Sequence, residues 1–424
     1  MTNSTSVRAI PNSTDRWQPR FFTIWSGQSL SLLGTSVVQF ALIWWLTITT
    51  NSGSILAVAS LMGLLPQVVL GPLAGTLVDR FNRRHVMIVA DGLAAAASLV
   101  LAVLFLSGQV QIWHVLAILF IRSLMGAFHQ AAMQASTSLM VPTEQLTRVA
   151  GLNSTLLGVI NIISPIIGAL LIPRLAIDTI VMLDVVSALP AILPLLFISV
   201  PQPPAQAGDK SSQQNSIWRD FTEGLRYVRG WSGLMLIIGM ALVINLLIAP
   251  AMALLPLLIK QQFSGGPDHL AAVQTLFGIG LIGGGILLGV WGGFKRRILT
   301  VQLGLGMLGI ASLLMGMSGS IGLAMAGMFL VGIGATLVNG SLQAIMQAVV
   351  EPALQGRVFS LTGSAAAAMT PVGLLIAGPA ADTFGVQGWY LMGGVICIVF
   401  SVVGLIVPAL MNIENNSAVN QASS

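Results

Sequence analysis

About twelve separate stretches of this chain are long and apolar enough to cross a hydrocarbon layer, and no other feature limits its fold as much. A bilayer core of about 30 Å needs roughly 20 consecutive apolar residues of helix. Such stretches lie near residues 21–48, 55–78, 86–106, 112–140, 152–173, 177–198, 234–259, 271–294, 298–317, 321–350, 358–381 and 389–410. A chain that is 55% hydrophobic and only 7% charged cannot coat itself with a water-soluble surface. The expectation is an all-α integral membrane protein surrounded by lipid.

Twelve crossings put both ends on one side, and the basic residues say which. Fifteen of the eighteen lysines and arginines fall in the N-terminal arm or in loops on its side; Arg174 and Lys260 fall opposite, and Arg122 falls inside a helix. Both termini are therefore expected in the cytoplasm, and the basic balance needs no nucleic-acid partner to explain it. The arm before Phe21 carries charges and two prolines, and the run after it lacks a small-residue cleavage site, so it reads as retained rather than as a signal peptide. Asn-x-Ser/Thr triplets at Asn3, Asn12 and Asn153 face the cytoplasm on this topology and do not read as glycosylation sites. Cys397 is the only cysteine, which excludes a disulfide and a thiolate metal site.

From Val200 the composition turns to "PQPPAQAGDKSSQQNS", a linker composition without an apolar face. It divides the chain into an arm (1–20), a six-helix half (21–199), a linker (200–230), a second six-helix half (231–411) and a tail (412–424). Within the linker, Ile217, Trp218, Phe221, Leu225 and Val228 recur at helical spacing, which predicts a short amphipathic helix on the membrane surface. The halves echo each other. Gly71, Gly75 and Arg83 have the spacing of Gly285, Gly289 and Arg297, and "QASTSLMVPTEQLTRV" from Gln134 parallels "QAIMQAVVEPALQGRV" from Gln343. Two such repeats about a central loop are the architecture of a transporter that rocks around a midplane site.

No phosphate-binding loop occurs, and no carboxylate pair, nucleophile–base pair or metal-ligand spacing stands out. Gly278, Gly280 and Gly283 match a dinucleotide fingerprint in form, but they sit in a membrane-length run with no strand before them, so close helix packing is the better reading. The only energy source left is a gradient, with no cofactor and no metal. That gradient is one of ions or of the substrate.

Charges inside the apolar runs narrow this further. Arg122 lies ten residues into the fourth run, about 15 Å at helical rise and close to the bilayer centre. An arginine there is costly unless it faces a partner or a cavity, so it defaults to function. His129 lies two turns along the same face, with Gly126 between them. Asp91 in the third run and Asp184 in the sixth are the two carboxylates within the spans. Either can pair with Arg122 or take up a proton, and the alternatives, a helix-end pin or a structural tie, stay open. The second half has only amides in its cores, among them Asn245, Asn339 and Gln343. The expected division of labour is a first half that couples to protons and a second that supplies a moving wall. Methionines such as Met307, Met315 and Met328 suit an adaptable apolar cavity, and Gln28, Gln39, Phe40 and Trp44 of the first run are further candidates for substrate contact.

The densest charge cluster carries a family resemblance. "GTLVDRFNRR", from Gly75 to Arg84, resembles the signature G-x-L-x-D-R-x-G-R-R between helices two and three of the major facilitator superfamily. Asn82 replaces its glycine, a substitution that a left-handed turn tolerates, and Gly293 stands where the second half would repeat Asp79. The resemblance implies that Gly75, Asp79, Arg80, Arg83 and Arg84 are gating residues that latch the halves in the outward-open state. "FFTIWSGQSLSLLGT", "LFIRSLMGAFH", "SLMVPTEQLTRVAG" and "GRVFSLTGS" are, in order, similar to the macrolide-efflux type of drug/proton antiporter. Arg122 and Gly126 fit its R-x-x-x-G element. Gly158, Ser164, Pro165 and Gly168 resemble its G-P-x-x-G motif, with serine for the first glycine. "GPAADTFG", ending at Gly385, imitates the latch motif but falls on the outer side with no basic residues after it, so Asp382 reads as a decoy. The resemblance implies a monomeric exporter of amphipathic small molecules, macrolide-like drugs first. A siderophore or lysophospholipid carrier on the same scaffold, and more distantly a receptor or channel that transports nothing, remain as alternatives.

Overall fold

A computed structural model describes residues 17–78, 80–202, 226–228 and 230–414. Its long helices are α1 (Trp17–Thr50), α2 (Gly53–Val78), α3 (Arg83–Leu106), α4 (Ile112–Met140), α5 (Leu146–Leu171), α6 (Ile177–Phe197), α7 (Ser232–Phe263), α8 (Pro267–Trp291), α9 (Arg297–Met317), α10 (Ile321–Val349), α11 (Pro352–Phe384) and α12 (Val386–Ile406), followed by a single turn, α13 (Pro408–Met411). Among the described residues, twelve helices are long and apolar enough to span a membrane. This is an all-α, multi-pass membrane protein. Lipid offers no hydrogen bonds to the backbone, so each crossing must satisfy its own N–H and C=O groups, which a helix does. Large apolar side chains accordingly point outward, in contrast to a soluble core; Phe197 and Val290 are each 85% exposed and Val100 is 56% exposed, surfaces suited to contact with lipid.

Several helices extend beyond the apolar runs. Arg83 and Arg84, expected in a loop, occupy the first turn of α3, while Lys260 and Asp382 lie in the last turns of α7 and α11. Asn82 does not make a left-handed turn. Its backbone is extended (φ −66°, ψ 114°) and its side chain caps α3 by accepting from the Arg84 N–H, the ordinary preference of asparagine at this position. Left-handed geometry appears instead in the second half, at Gly292 (φ 76°) and Gly293 (φ 78°), which accounts for glycine in place of an aspartate there. The amphipathic helix expected over 217–229 lies outside the described residues except at 226–228, which are helical.

Helix pairing repeats between the halves. α1 packs on α5 and α6, α2 on α4, and α3 on α4 and α6; adding six to each number gives the pairings of the second half. Between halves, α2 packs on α11 and α5 on α8, a reciprocal exchange that makes the two halves related by pseudo-twofold symmetry. Small residues permit the tightest approaches. A Cβ on Gly280 would come 2.3 Å from the Phe329 carbonyl oxygen, and one on Gly332 would come 2.4 Å from that of Phe277. These glycines serve helix packing and no nucleotide. Gly332→Val is expected to cost about 1–3 kcal/mol or more through overpacking, seen as a lower melting temperature of the detergent-solubilised protein, whereas Gly283→Ala, where a Cβ meets nothing within 4 Å, leaves it unchanged.

The two faces differ. The face where the described chain begins and ends is called here the terminal face, and its opposite the far face. At the far face the halves touch: Gly53 lies against Gly378 and Ala381, and Leu61 packs with Leu374. Toward the terminal face, a Cβ on Gly71 or Gly75 of α2, or on Gly356 or Gly363 of α11, would meet nothing within 4 Å. The halves therefore meet at the far face, whereas these four glycines toward the terminal face have open space beside them.

Candidate functional site: a charged cavity in the first half

Arg122 projects from α4 into the first half, where its side chain is 6% exposed. Its Nη2 stands 3.4 Å from Asp184 Oδ2 of α6 and donates to the Thr35 carbonyl of α1 at 3.2 Å. Asp184 is held from three helices. Thr35 Oγ1 donates to Oδ1 at 2.6 Å and Ser98 Oγ donates to Oδ2 at 2.5 Å. A buried ion pair survives in a low dielectric only when its remaining lone pairs are satisfied, and these two hydroxyls do that. Arg122 Nη1 is buried without a hydrogen-bond partner among the described residues, which leaves a donor for the cavity beside it.

One helical stretch nearer the terminal face lies the second acidic group. Asp91 of α3 accepts from Gln28 Nε2 at 3.1 Å, and His129 Nε2 of α4 is 3.6 Å from its other oxygen. Gln28 also donates to the Ala191 carbonyl at 3.4 Å, which ties α1, α3 and α6 together at this level. Asp91 thus has one neutral donor and one imidazole where Asp184 has two hydroxyls and a guanidinium. The first is held by fewer contacts than the second.

Arg122, Asp184, Asp91, His129, Gln28, Gln39 and Gly126 line one cavity of about 570 Å³. It also presents Gln67, Gln130, Gln134 and Asn153, with Trp25 donating to Asn153 Oδ1 at 2.7 Å. None of these polar residues, nor Thr35 and Ser98, was legible as part of the site. A hydroxyl or amide in an apolar helix usually bonds its own backbone four residues back, as Ser29 and Thr47 do here, and nothing local marks the few that reach across instead.

The remaining candidates scatter. Asn245 and Asn339 line a separate cavity of about 300 Å³ in the second half with aliphatic neighbours such as Ile244, Leu305 and Val338. Each donates its amide to its own helix, to Ala241 and Ala335 at 2.9 Å. Gln343 is exposed and lines neither cavity. Phe40 and Trp44 are buried among helices, Phe40 against Gly168, where a Cβ would come 2.5 Å from the ring. Ser164 and Pro165 are buried within α5, and Gly158 stands on the same helix with nothing within 4 Å of a Cβ.

Of the terminal-face cluster, Asp79 lies outside the described residues and Arg80 is exposed in the turn. Arg83 Nη1 donates to the Ala135 carbonyl of α4 at 2.7 Å. Arg84 donates from Nε to the Leu195 carbonyl and from Nη2 to that of Leu196 at 2.5 Å, both in the last turn of α6, where cations are favoured. These contacts all stay within the first half. The second half repeats the arrangement with a different partner: Arg297 opens α9 as Arg83 opens α3, its N–H donates to Glu414 Oε2 at 2.9 Å, and its Nη1 is 3.7 Å from Oε1, where Arg83 N–H meets Gln202 at 3.2 Å.

Residues 24–365 and 237–422 match the sequence pattern of the Major Facilitator Superfamily. The chain belongs to that superfamily. It is a membrane transporter and not a catalytic enzyme. The chain is 35% identical over 397 residues to macrolide efflux protein A of Streptococcus pyogenes, covering 92% of this chain and 96% of that one. It is 27% identical to the multidrug efflux pump Tap of Mycobacterium tuberculosis over 400 residues, 90% of this chain and 91% of the relative. Among solved structures, a bacterial homologue of the lysosomal transporter Spinster, in an inward-facing and unoccupied conformation, superposes with a TM-score of 0.67 at 11% identity over 96% of this chain and 98% of that one. A bacterial homologue of the iron transporter ferroportin, inward-facing, gives 0.67 at 15% identity over 91% and 99%. At those identities the likeness concerns the fold.

Proposed function

We propose that this transporter exports amphipathic small molecules, macrolide-like drugs first among them, in exchange for protons, by exposing its interior to one face at a time with both termini in the cytoplasm. The observation that carries the reading is the placement of a tied ion pair, Arg122–Asp184, and a loosely held acid–imidazole pair, Asp91–His129, on the wall of one cavity. A proton-driven exporter needs a group whose protonation changes how the cavity holds cargo, and Asp91 is that group. When Asp91 is charged it holds His129 and Gln28; a proton arriving there loosens both and changes what the cavity offers to cargo. Arg122 sets the field of the cavity and holds Asp184 in an ion pair. The aliphatic cavity of the second half, with Asn245 and Asn339 on its wall, receives the apolar body of the cargo. The similarity to macrolide efflux protein A over 92% of the chain supports the cargo class. Arg83 and Arg84, with Asp79, act as the latch of the opposite state, in which the terminal face is shut.

Substrate-dependent proton flux in proteoliposomes tests this reading. A macrolide is expected to evoke proton movement opposite to its own, abolished by a protonophore. A panel containing a siderophore and a lysophospholipid separates the cargo classes, and proton flux indifferent to every compound overturns the exchange mechanism.

A further inference from the structure

The aspartate of "GPAADTFG" does not idle on the far face. Asp382 Oδ1 accepts from the Gly53 N–H at 2.5 Å, and Oδ2 accepts from the Ser54 N–H at 3.0 Å and the Ser52 hydroxyl at 2.9 Å. Gly53 and Ser54 open α2, where N–H groups have no partner in the helix and the helix dipole is positive. The carboxylate of α11 therefore caps a helix of the other half. Lys260, in the last turn of α7, donates from Nζ to the carbonyls of Thr47 and Ile48, each at 3.2 Å. Those belong to the last turn of α1, where the dipole is negative. Only Asn51 and Ser52 separate α1 from α2. Two opposite charges of the second half thus grip the two ends of one hairpin of the first, each matched in sign to the helix end that it meets. Beneath them the backbones close up, because a Cβ on Gly378 would come 2.8 Å from Ser54 Cα and one on Gly53 would come 2.7 Å from Ala381 Cβ.

We propose that Asp382 and Lys260 are the gating residues of the far face: their grip on the α1–α2 hairpin holds that face shut while the cavity is open toward the terminal face, and it must release for cargo to leave. The chemistry suits a contact made and broken in every cycle. Asp382 is exposed and Lys260 partly so, and their partners are mostly backbone groups at helix ends, which water can take over when the halves part. A buried pair such as Arg122–Asp184 has no such substitute. Backbone partners also leave no trace in the sequence of the hairpin, so the aspartate reads as a decoy until the fold brings α2 to it. The inference rests on alternating exposure of the interior, independent of coupling ion and cargo.

Cysteine labelling of the purified protein in nanodiscs tests it. In a Cys397→Ser background, Leu374→Cys reports on the far-face seal, where Leu374 is 2% exposed against Leu61. Leu157→Cys, at an exposed position on the first-half cavity, reports on the terminal-face opening. Asp382→Ala with Lys260→Ala is expected to raise maleimide labelling at position 374 about tenfold, the order expected for losing charge-assisted hydrogen bonds, and to lower it at 157. Asp382→Asn, which retains the shape and an acceptor, gives an intermediate rise and a milder variant if the double one fails to fold. Unchanged labelling at 374 overturns the proposal. So does a parallel rise at both positions, which makes the contacts structural and not gating. Because labelling needs neither proton nor cargo, failure of the flux assay leaves this result standing, and the reverse holds too.

Discussion

Asp91→Asn is expected to reduce proton-driven transport to the protein-free background while the protein still folds and binds cargo. The amide is isosteric and retains an acceptor for Gln28, so the links among α1, α3 and α6 survive; a neutral replacement of this kind costs about 1 kcal/mol or less of stability. What it removes is the charge that a proton can cancel. Cargo should then still equilibrate down its own gradient, so counterflow of labelled substrate in proteoliposomes persists while substrate-evoked proton flux vanishes. His129→Gln is expected to weaken coupling without abolishing it, because the imidazole modulates the carboxylate at 3.6 Å and is not the group proposed to load. Proton flux that survives Asp91→Asn and is lost in Asp184→Asn would reverse the roles given to the two acids.

Arg122→Ala carries the largest expected cost in stability. It leaves Asp184, whose side chain is 5% exposed, without the guanidinium that compensates its charge, and breaking one side of a buried pair costs about 3–5 kcal/mol. The melting temperature of the solubilised variant should fall steeply and transport should disappear. The double variant Arg122→Ala with Asp184→Asn removes the stranded charge as well, and it should recover most of the lost stability because Thr35 and Ser98 can still bond the amide. Transport should not return with it. That separation of stability from transport is the signature of a working role for Arg122. A double variant that transports normally would reduce the arginine to a structural tie, and a single variant that melts normally would mean that the pair is not formed in solution.

Legibility in the sequence followed the range of the physical effect. Arg122 stood out because its cost in an apolar helix depends only on how deep it lies in its own run, ten residues in. Of Gly278, Gly280 and Gly283, assigned to packing because a nucleotide loop needs a strand before it, the first two do pack against neighbouring helices and Gly283 meets none. At Asn82 residue preference alone admits a left-handed turn, but the first turn of α3 needs a cap and takes the extended conformation. Phe40 and Trp44 went to the core and not to the cavity because an apolar helix shows no face in its sequence when lipid and protein are equally apolar.

The sequence by itself determined the membrane, the twelve crossings, the repeat of six and the residue at the centre, since each of these follows from hydropathy and charge counted along the chain. Only the tertiary structure decided the partners. Asp184 and not Asp91 lies against Arg122, His129 turns to Asp91, and Asp382 reaches a helix end more than three hundred residues away in the chain. Those choices depend on which helices lie side by side and how closely small residues let them approach, and on backbone groups that carry no residue identity.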